Sequence, residues 1–280
     1  VNRCLSARQS GSLPEPPPEH RGQSIQGDES HRHALKPESW TQAITTWRAT
    51  STAARAQTRW SRIPRNVAES MAFEREPIPL ATVEHWHTNP PRRQATVGPQ
   101  EPLAGPKAIA RQVLTLEQQI EQARFDTRAL DDQLVHDLHT AICAPVAPHL
   151  AGWRRVGVTV GSHVAPPWPL VPILMRDYGR DLEARLAAQG LETTERLLET
   201  LAFAEGRLLR IHPFADYNGR VTRVFLRLVL RRLELPPVRL APGDDERGSY
   251  LAALAAGDRG DGTLLIGCWN TRFRSAQTDG

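Results

Sequence analysis

At 280 residues the chain has room for one well-cored domain of ordinary size with a further region attached, and two equal domains would be a tight fit. Lys and Arg total 35 against 31 Asp and Glu, and the formal charge of +4 is too small and too scattered to argue for nucleic acid. Three distant cysteines without CxxC spacing suggest neither a disulfide framework nor a zinc site, and no stretch approaches the roughly 20 apolar residues that span a bilayer. The opening VNRCLSARQSGSLPEPPPEH lacks the apolar core of a signal peptide, so the expectation is a cytoplasmic protein with no membrane partner.

In chain order, residues 1–38 are rich in Pro, Ser, Gln, Gly and charge, bury too little to offset chain ordering, and are expected to be disordered. Residues 39–105 form a second region, of unassigned function. Short helices are plausible around Trp40, Trp47 and Trp60, followed from Glu76 to Pro106 by a proline-dense linker or extended arm. The third region, 106–280, has the texture of a helical domain. Ile109, Val113, Leu116 and Ile120 recur at helical spacing, and Leu130, Leu134, Leu138 and Ile142 make a second stripe. Val156, Val158 and Val160 then alternate with Gly157 and Thr159, which predicts a β-hairpin near 156–164. Two more amphipathic helices follow, one through Leu197, Leu201, Ala204, Leu208 and Ile211, the other through Val221, Val224, Phe225, Leu228 and Val229.

Between these two helices stands HPFADYNGRVTR, residues 212–223. Pro213 blocks continuation of the first helix and Phe214, the one strongly apolar residue of the loop, anchors it. Asp216 offers a hard carboxylate, Asn218 and Gly219 make a small turn, and Arg220 and Arg223 share a face of the next helix. A helix N-terminus with glycine and two guanidinium groups is an anion site. A carboxylate beside a phosphate site suits Mg²⁺ held by one protein ligand plus phosphates and water. Nucleotide polyphosphate is the ligand that needs all of these, and His212 at the lip is suited to take a proton from an attacking hydroxyl. Singly, each has an ordinary reading: a helix-end histidine, an Asp-Tyr-Asn-Gly turn, or Arg223 and Arg227 as solvated surface. The ordered combination within twelve residues reverses that reading.

This run resembles the signature HxFx(D/E)GNGRxxR of the Fic family of protein adenylyltransferases, with His212, Phe214, Asp216, Asn218, Gly219, Arg220 and Arg223 in place. The likeness extends over roughly residues 110–272, with Arg247, Tyr250 and AALAAGDRGD resembling the helix after the motif. The resemblance implies an all-α domain with a β-hairpin flap that docks the target through Val158, Thr159 and Val160. It implies transfer of AMP from ATP to a Ser, Thr or Tyr hydroxyl of a target protein, with release of pyrophosphate. His212 would be the base and Asp216 the Mg²⁺ ligand. The backbone around Asn218 and Gly219 would bind anions, with Arg220 and Arg223 on the β and γ phosphates. Tyr217 departs from the pattern, where a Gly is expected, and a Cβ there limits positive φ. Doc toxins, which resemble Fic proteins but phosphorylate their target, replace the second Gly by Lys. This chain keeps Gly219 and Arg223, which favours adenylylation.

Many members carry an inhibitory helix with (S/T)xxxE(G/N), whose Glu pairs with the last Arg of the motif. The nearest match here is Ser70 and Glu74 in SMAFER, with Arg75 in the wrong place for Gly or Asn and with Pro77 and Pro79 following. Ordinary surface placement of Glu74, a separate inhibitory partner, or no inhibition are the expectations set against it. Transfer of another phosphate-containing group, a weakly active binding module, and a nucleic-acid role for the N-terminal half remain as alternatives.

Overall fold

The computed structural model describes residues 38–89, 105–188 and 195–276. The expected disorder of 1–38 falls, Glu38 apart, outside the described residues, as does the proline-rich stretch 90–104. Ten α-helices make up the described fold: α1 (Glu38–Ala49), α2 (Thr52–Phe73), α3 (Leu80–Thr88), α4 (Gly105–Glu121), α5 (Asp132–Cys143), α6 (Val171–Leu186), α7 (Arg196–Ile211), α8 (Asn218–Arg232), α9 (Asp244–Asp258) and α10 (Thr263–Ser275). One antiparallel hairpin, β1 (Thr159–Val160) and β2 (His163–Val164), interrupts them, in the register Thr159 to Val164 and Val160 to His163. None of these helices is long and apolar enough to cross a membrane.

Helix α8 is the centre of the packing. Val221, Val224, Phe225, Leu226, Leu228, Val229 and Leu230 are all buried, and so are Arg220 and Arg223 on the polar face, so the first part of the helix is enclosed on every side. It packs against α2, α4, α5 and α7. The two stripes expected on α4 and α5 face it: Ile109, Val113, Leu116, Ile120, Leu134, Leu138 and Ile142 are buried. Helix α5 starts where the sequence supplies a cap, with Asp131 Oδ1 accepting from the Leu134 N–H at 2.8 Å.

Three expectations need correction. The stretch 76–106 is not extended throughout, because Leu80–Thr88 is helical and Ile78, Val83 and Trp86 are buried. Proline stops a helix from inside but not at its start, and Pro79 sits at the N-cap of α3. Around Trp60 there is one 22-residue helix, α2, with Pro64 inside it and Ile63, Val67 and Met71 in the core shared with α4 and α8. The hairpin is present but shorter than the alternation suggested, with Val156 exposed ahead of β1.

Candidate active site

The six residues 212–217 link α7 to α8, and all but the exposed Ala215 are held by a contact that can be traced. His212 caps α7 in the left-handed region at φ 49°, its N–H on the Leu208 carbonyl at 3.1 Å. Its ring Nδ1 lies 3.3 Å from the Leu209 carbonyl. A carbonyl only accepts, so Nδ1 carries the hydrogen and Nε2 is left with a lone pair. Burial pushes the His212 pKa below the ordinary imidazole value, against the Leu209 bond and with help from His163 and Arg154. At neutral pH the ring is therefore a neutral base.

Phe214 is fully buried and stacks on His139 of α5, centroids 3.6 Å apart, and on Trp153, 5.0 Å away. Asn218 clamps the same residue: its Oδ1 accepts from the Phe214 N–H at 3.0 Å and its Nδ2 donates to the Phe214 carbonyl at 2.9 Å. His139 Nε2 donates to the Asp216 carbonyl at 3.1 Å, and burial drives its pKa to about 4, so it stays neutral. The Asp216 carboxylate is exposed, and its Oδ1 accepts from the Tyr217 N–H at 2.6 Å. Among the described residues no group of three or more His, Cys, Asp or Glu could hold a metal by itself. A solvent-facing carboxylate that forms no ion pair among the described residues fits Mg²⁺ shared with phosphates and water.

Tyr217 takes the conformation in which Gly was expected, φ 64° and ψ 13°, at a cost of about 1–3 kcal/mol. Its ring turns toward α5 at 6.4 Å from His139, with the Arg220 guanidinium 5.1 Å above it. The N–H groups of Asn218, Gly219 and Arg220 start α8 and have no intrahelical acceptor.

Arg220 and Arg223 are buried rather than solvated. Arg223 Nε donates to Ser70 Oγ at 2.8 Å, and its Nη2 to Glu74 Oε1 at 2.5 Å and the Ser70 carbonyl at 3.3 Å. Glu74 thus leaves the surface expected of it. Burial raises its pKa, but Arg223, with Arg220 and Arg247, outweighs that and holds the carboxyl below its ordinary value. The carboxylate lies so close over α8 that a Cβ built on Gly219 would fall 2.1 Å from Glu74 Oε1. Arg75, the apparent mismatch, explains what the Gly or Asn of the inhibitory pattern is for. It sits at φ 61° while its N–H and that of Glu76 return to the carbonyls of Ala72 and Met71, the left-handed helix stop that glycine and asparagine adopt most readily. Arg75 adopts it too, and Glu76 beyond it pairs with Arg220.

The flap is tied to the motif by a residue the sequence did not single out. Arg154, 3% exposed, donates through Nε to the His212 carbonyl at 2.7 Å, and through its other nitrogens to the carbonyls of Val156 at 2.9 Å and Pro166 at 2.5 Å. It gathers both ends of the hairpin onto the base. His163 fastens the far strand, with Nδ1 at 2.7 Å from Asp258 and Nε2 at 2.9 Å from the Arg210 carbonyl. Of the flap residues, Val158 is half-buried while Thr159 and Val160 are exposed.

Residues 129–230 match the model of the Fic/DOC family. The chain carries a Fic/DOC family domain. The Fic protein adenylyltransferase of Drosophila sechellia is 31% identical over 126 residues, which is 45% of this chain and 24% of that protein. The same protein of Drosophila yakuba is 32% identical over the same shares. The chain thus spans about a quarter of the length of the curated relatives it matches. Among solved structures, Fic-1 from C. elegans superposes with a TM-score of 0.65 at 18% identity, covering 86% of this chain and 70% of that one. A Fic family protein from Desulfovibrio desulfuricans gives 0.63 at 23% identity, covering 86% and 72%. At these identities the likeness to solved structures is one of fold. The Fic fold expected from the motif is thereby the fold found, and residues 129–230 carry the match to the family.

Proposed function

We propose that the chain is a protein adenylyltransferase that moves AMP from ATP to a Ser, Thr or Tyr hydroxyl of a protein target, and that Glu74 restrains it. The observation that carries this reading is the pairing of a neutral, Nε2-open histidine with a helix N-terminus whose two arginines are already neutralised by carboxylates. Anionic oxygens held where phosphate oxygens would go are what an inhibited nucleotide site requires.

In the reaction, the target hydroxyl gives its proton to His212 Nε2 as its oxygen bonds to the α-phosphorus of ATP. The bond from that phosphorus to the bridging oxygen breaks on the opposite side, and pyrophosphate leaves. The N–H groups at the start of α8 stabilise charge on the α-phosphate, and Arg220 and Arg223 hold the β and γ phosphates once Glu76 and Glu74 release them. Asp216 would hold Mg²⁺, which neutralises phosphate charge when bound. Arg154 keeps the His212 backbone and the flap in one relation, so that a segment paired to Thr159 and Val160 presents its hydroxyl to the base.

The test is incubation of wild type and Glu74→Gly with ATP labelled at the α or the γ position and a lysate of the host. The reading expects protein labelling from α alone, stronger with Glu74→Gly. Labelling from γ alone would mean phosphotransfer and would shift weight to the altered loop at Tyr217.

A further inference from the structure

Beside the motif loop lies a cavity of about 680 Å³ that none of the roles above uses. His136 of α5, His149, Trp153 and Arg155 line it, with Trp168 beyond the flap and Ala215 of the motif loop. Two features set its chemistry. Among the described residues no carboxylate lines it, Asp137 standing behind His136 with Oδ1 3.7 Å from its Nδ1, whereas Arg155 is exposed and forms no ion pair among the described residues. Its neighbour Arg154 is consumed by four backbone carbonyls, so Arg155 is the cation left for something else. Its lining includes exposed apolar groups, Val156 at 55% and Trp168 at 45%, and the chain next to the lining residues Pro169 and Pro172 exposes Leu170 at 46% and Ile173 at 49%. Exposed apolar groups gathered in one short stretch mark a contact surface.

We propose that this cavity docks an acidic side chain, Asp or Glu, that the protein target carries close to the hydroxyl it presents. The proposal rests on the reading of the chain as a transferase acting on a protein hydroxyl, and it adds what kind of segment the site selects. Ala215 is three residues from His212, and the wall at Arg154 is bonded to the motif loop through its N–H on the Pro213 carbonyl at 2.9 Å. The cavity and the base are thereby held in fixed relation, so one extended segment reaches both. A carboxylate entering the cavity meets the Arg155 guanidinium and imidazole N–H groups, while its methylenes lie on Trp153 and Trp168. A lysine in its place meets a like charge, and the acid beside His136, Asp137, is already bonded to Arg128 and Gln133, which is discrimination by repulsion.

The test uses the full chain and two fluorescein-labelled decapeptides, each with a single Thr flanked on both sides by Glu or by Lys, read by anisotropy without nucleotide. The Glu peptide should bind at least about fivefold tighter than the Lys peptide. Arg155→Gln should remove that preference, Arg155→Glu reverse it, and Trp168→Ala weaken the Glu peptide with the preference kept. Both positions are exposed, and unchanged melting curves would show that the fold survives. Equal binding of the two peptides, or a preference indifferent to Arg155→Glu, overturns the proposal. The same peptides offered to Glu74→Gly with α-labelled ATP test the underlying reading separately. Absence of label on peptide and enzyme alike would count against adenylyl transfer, whereas the anisotropy would still judge the docking.

Discussion

The two ends of the site are built to opposite purposes. At the end of the proposed base, His212, Phe214 and Asp216 are fixed by Arg154, Asn218 and His139, each of which bonds to backbone, so in the proposed reading that end is ready before any substrate arrives. At the end proposed to take phosphate, Arg220 and Arg223 are also bonded, but to Glu76 and Glu74, which in the proposed reading a nucleotide must displace. Preorganisation speeds chemistry when the held groups are those the transition state needs, and slows it when the held groups stand in for the substrate. One end of this molecule shows the first case and the other shows the second.

The largest effect on that contrast is expected from His212→Ala. Removing a general base should cost about 10²- to 10⁴-fold in transfer while leaving ATP affinity unchanged, measured by labelled-AMP incorporation beside calorimetry. Because burial lowers the His212 pKa below its ordinary 6.5, the rate of an unrestrained variant should hold through neutrality and fall only in acid below that value. Arg154→Ala comes next. It removes four bonds that align the His212 carbonyl with the flap, and a loss of roughly 10- to 100-fold in kcat, again with ATP binding kept, is the expected result of a misplaced base. Equal loss of kcat and ATP binding would show that the two ends are not separable.

A smaller effect concerns how α2, which carries Glu74, is held on α8. Asn66 of α2 donates to Glu117 Oε2 at 3.0 Å and accepts from Arg227 Nη2 at 2.9 Å, a buried link between α2, α4 and α8. Burial raises the Glu117 pKa from 4.5 to about 7, against the pull of Arg227. Between those values the folded chain binds the proton more tightly than the unfolded one, so stability falls as pH rises from 4.5 to about 7 and stays lower above. Glu117→Gln should therefore raise the melting temperature at pH 8 by several degrees, at about 2–4 °C per kcal/mol, and do little at pH 4.5. The smallest change is expected from Tyr217→Gly. Relief of the left-handed backbone offsets the lost contact with Arg220, and transfer by an unrestrained variant should stay within about threefold of the parent. Loss of transfer would mean that the ring takes part in nucleotide binding.

How much of this was legible in the sequence follows the same division. The motif announced itself because its residues are contiguous and its chemistry needs all of them, and the stripes on α4, α5 and α8 were visible as helical periods. Arg154 and His139 were not, since each acts on carbonyls far away in sequence, and an isolated Arg before a hairpin or a His on an apolar stripe carries no local signal. Glu74 gives only a weak signal, because Arg75 stands where Gly or Asn belongs and Pro77 and Pro79 follow. What that position demands is a left-handed backbone, not a particular side chain, and an Arg supplies it. Glu76 belongs to no pattern at all and became visible only when α2 was seen to end over Arg220.

The central claim, that Glu74 occupies the place of nucleotide phosphate, is tested most directly by calorimetric titration of ATP with Mg²⁺ into wild type and Glu74→Ala. Charge-assisted bonds of about 1.5–3 kcal/mol compete with the nucleotide for Arg223, so the variant should bind ATP roughly 10- to 100-fold tighter. Without nucleotide it should also melt lower than wild type, because Arg223 loses a partner, and ATP should restore the loss. ATP affinity equal in the two proteins would contradict the account.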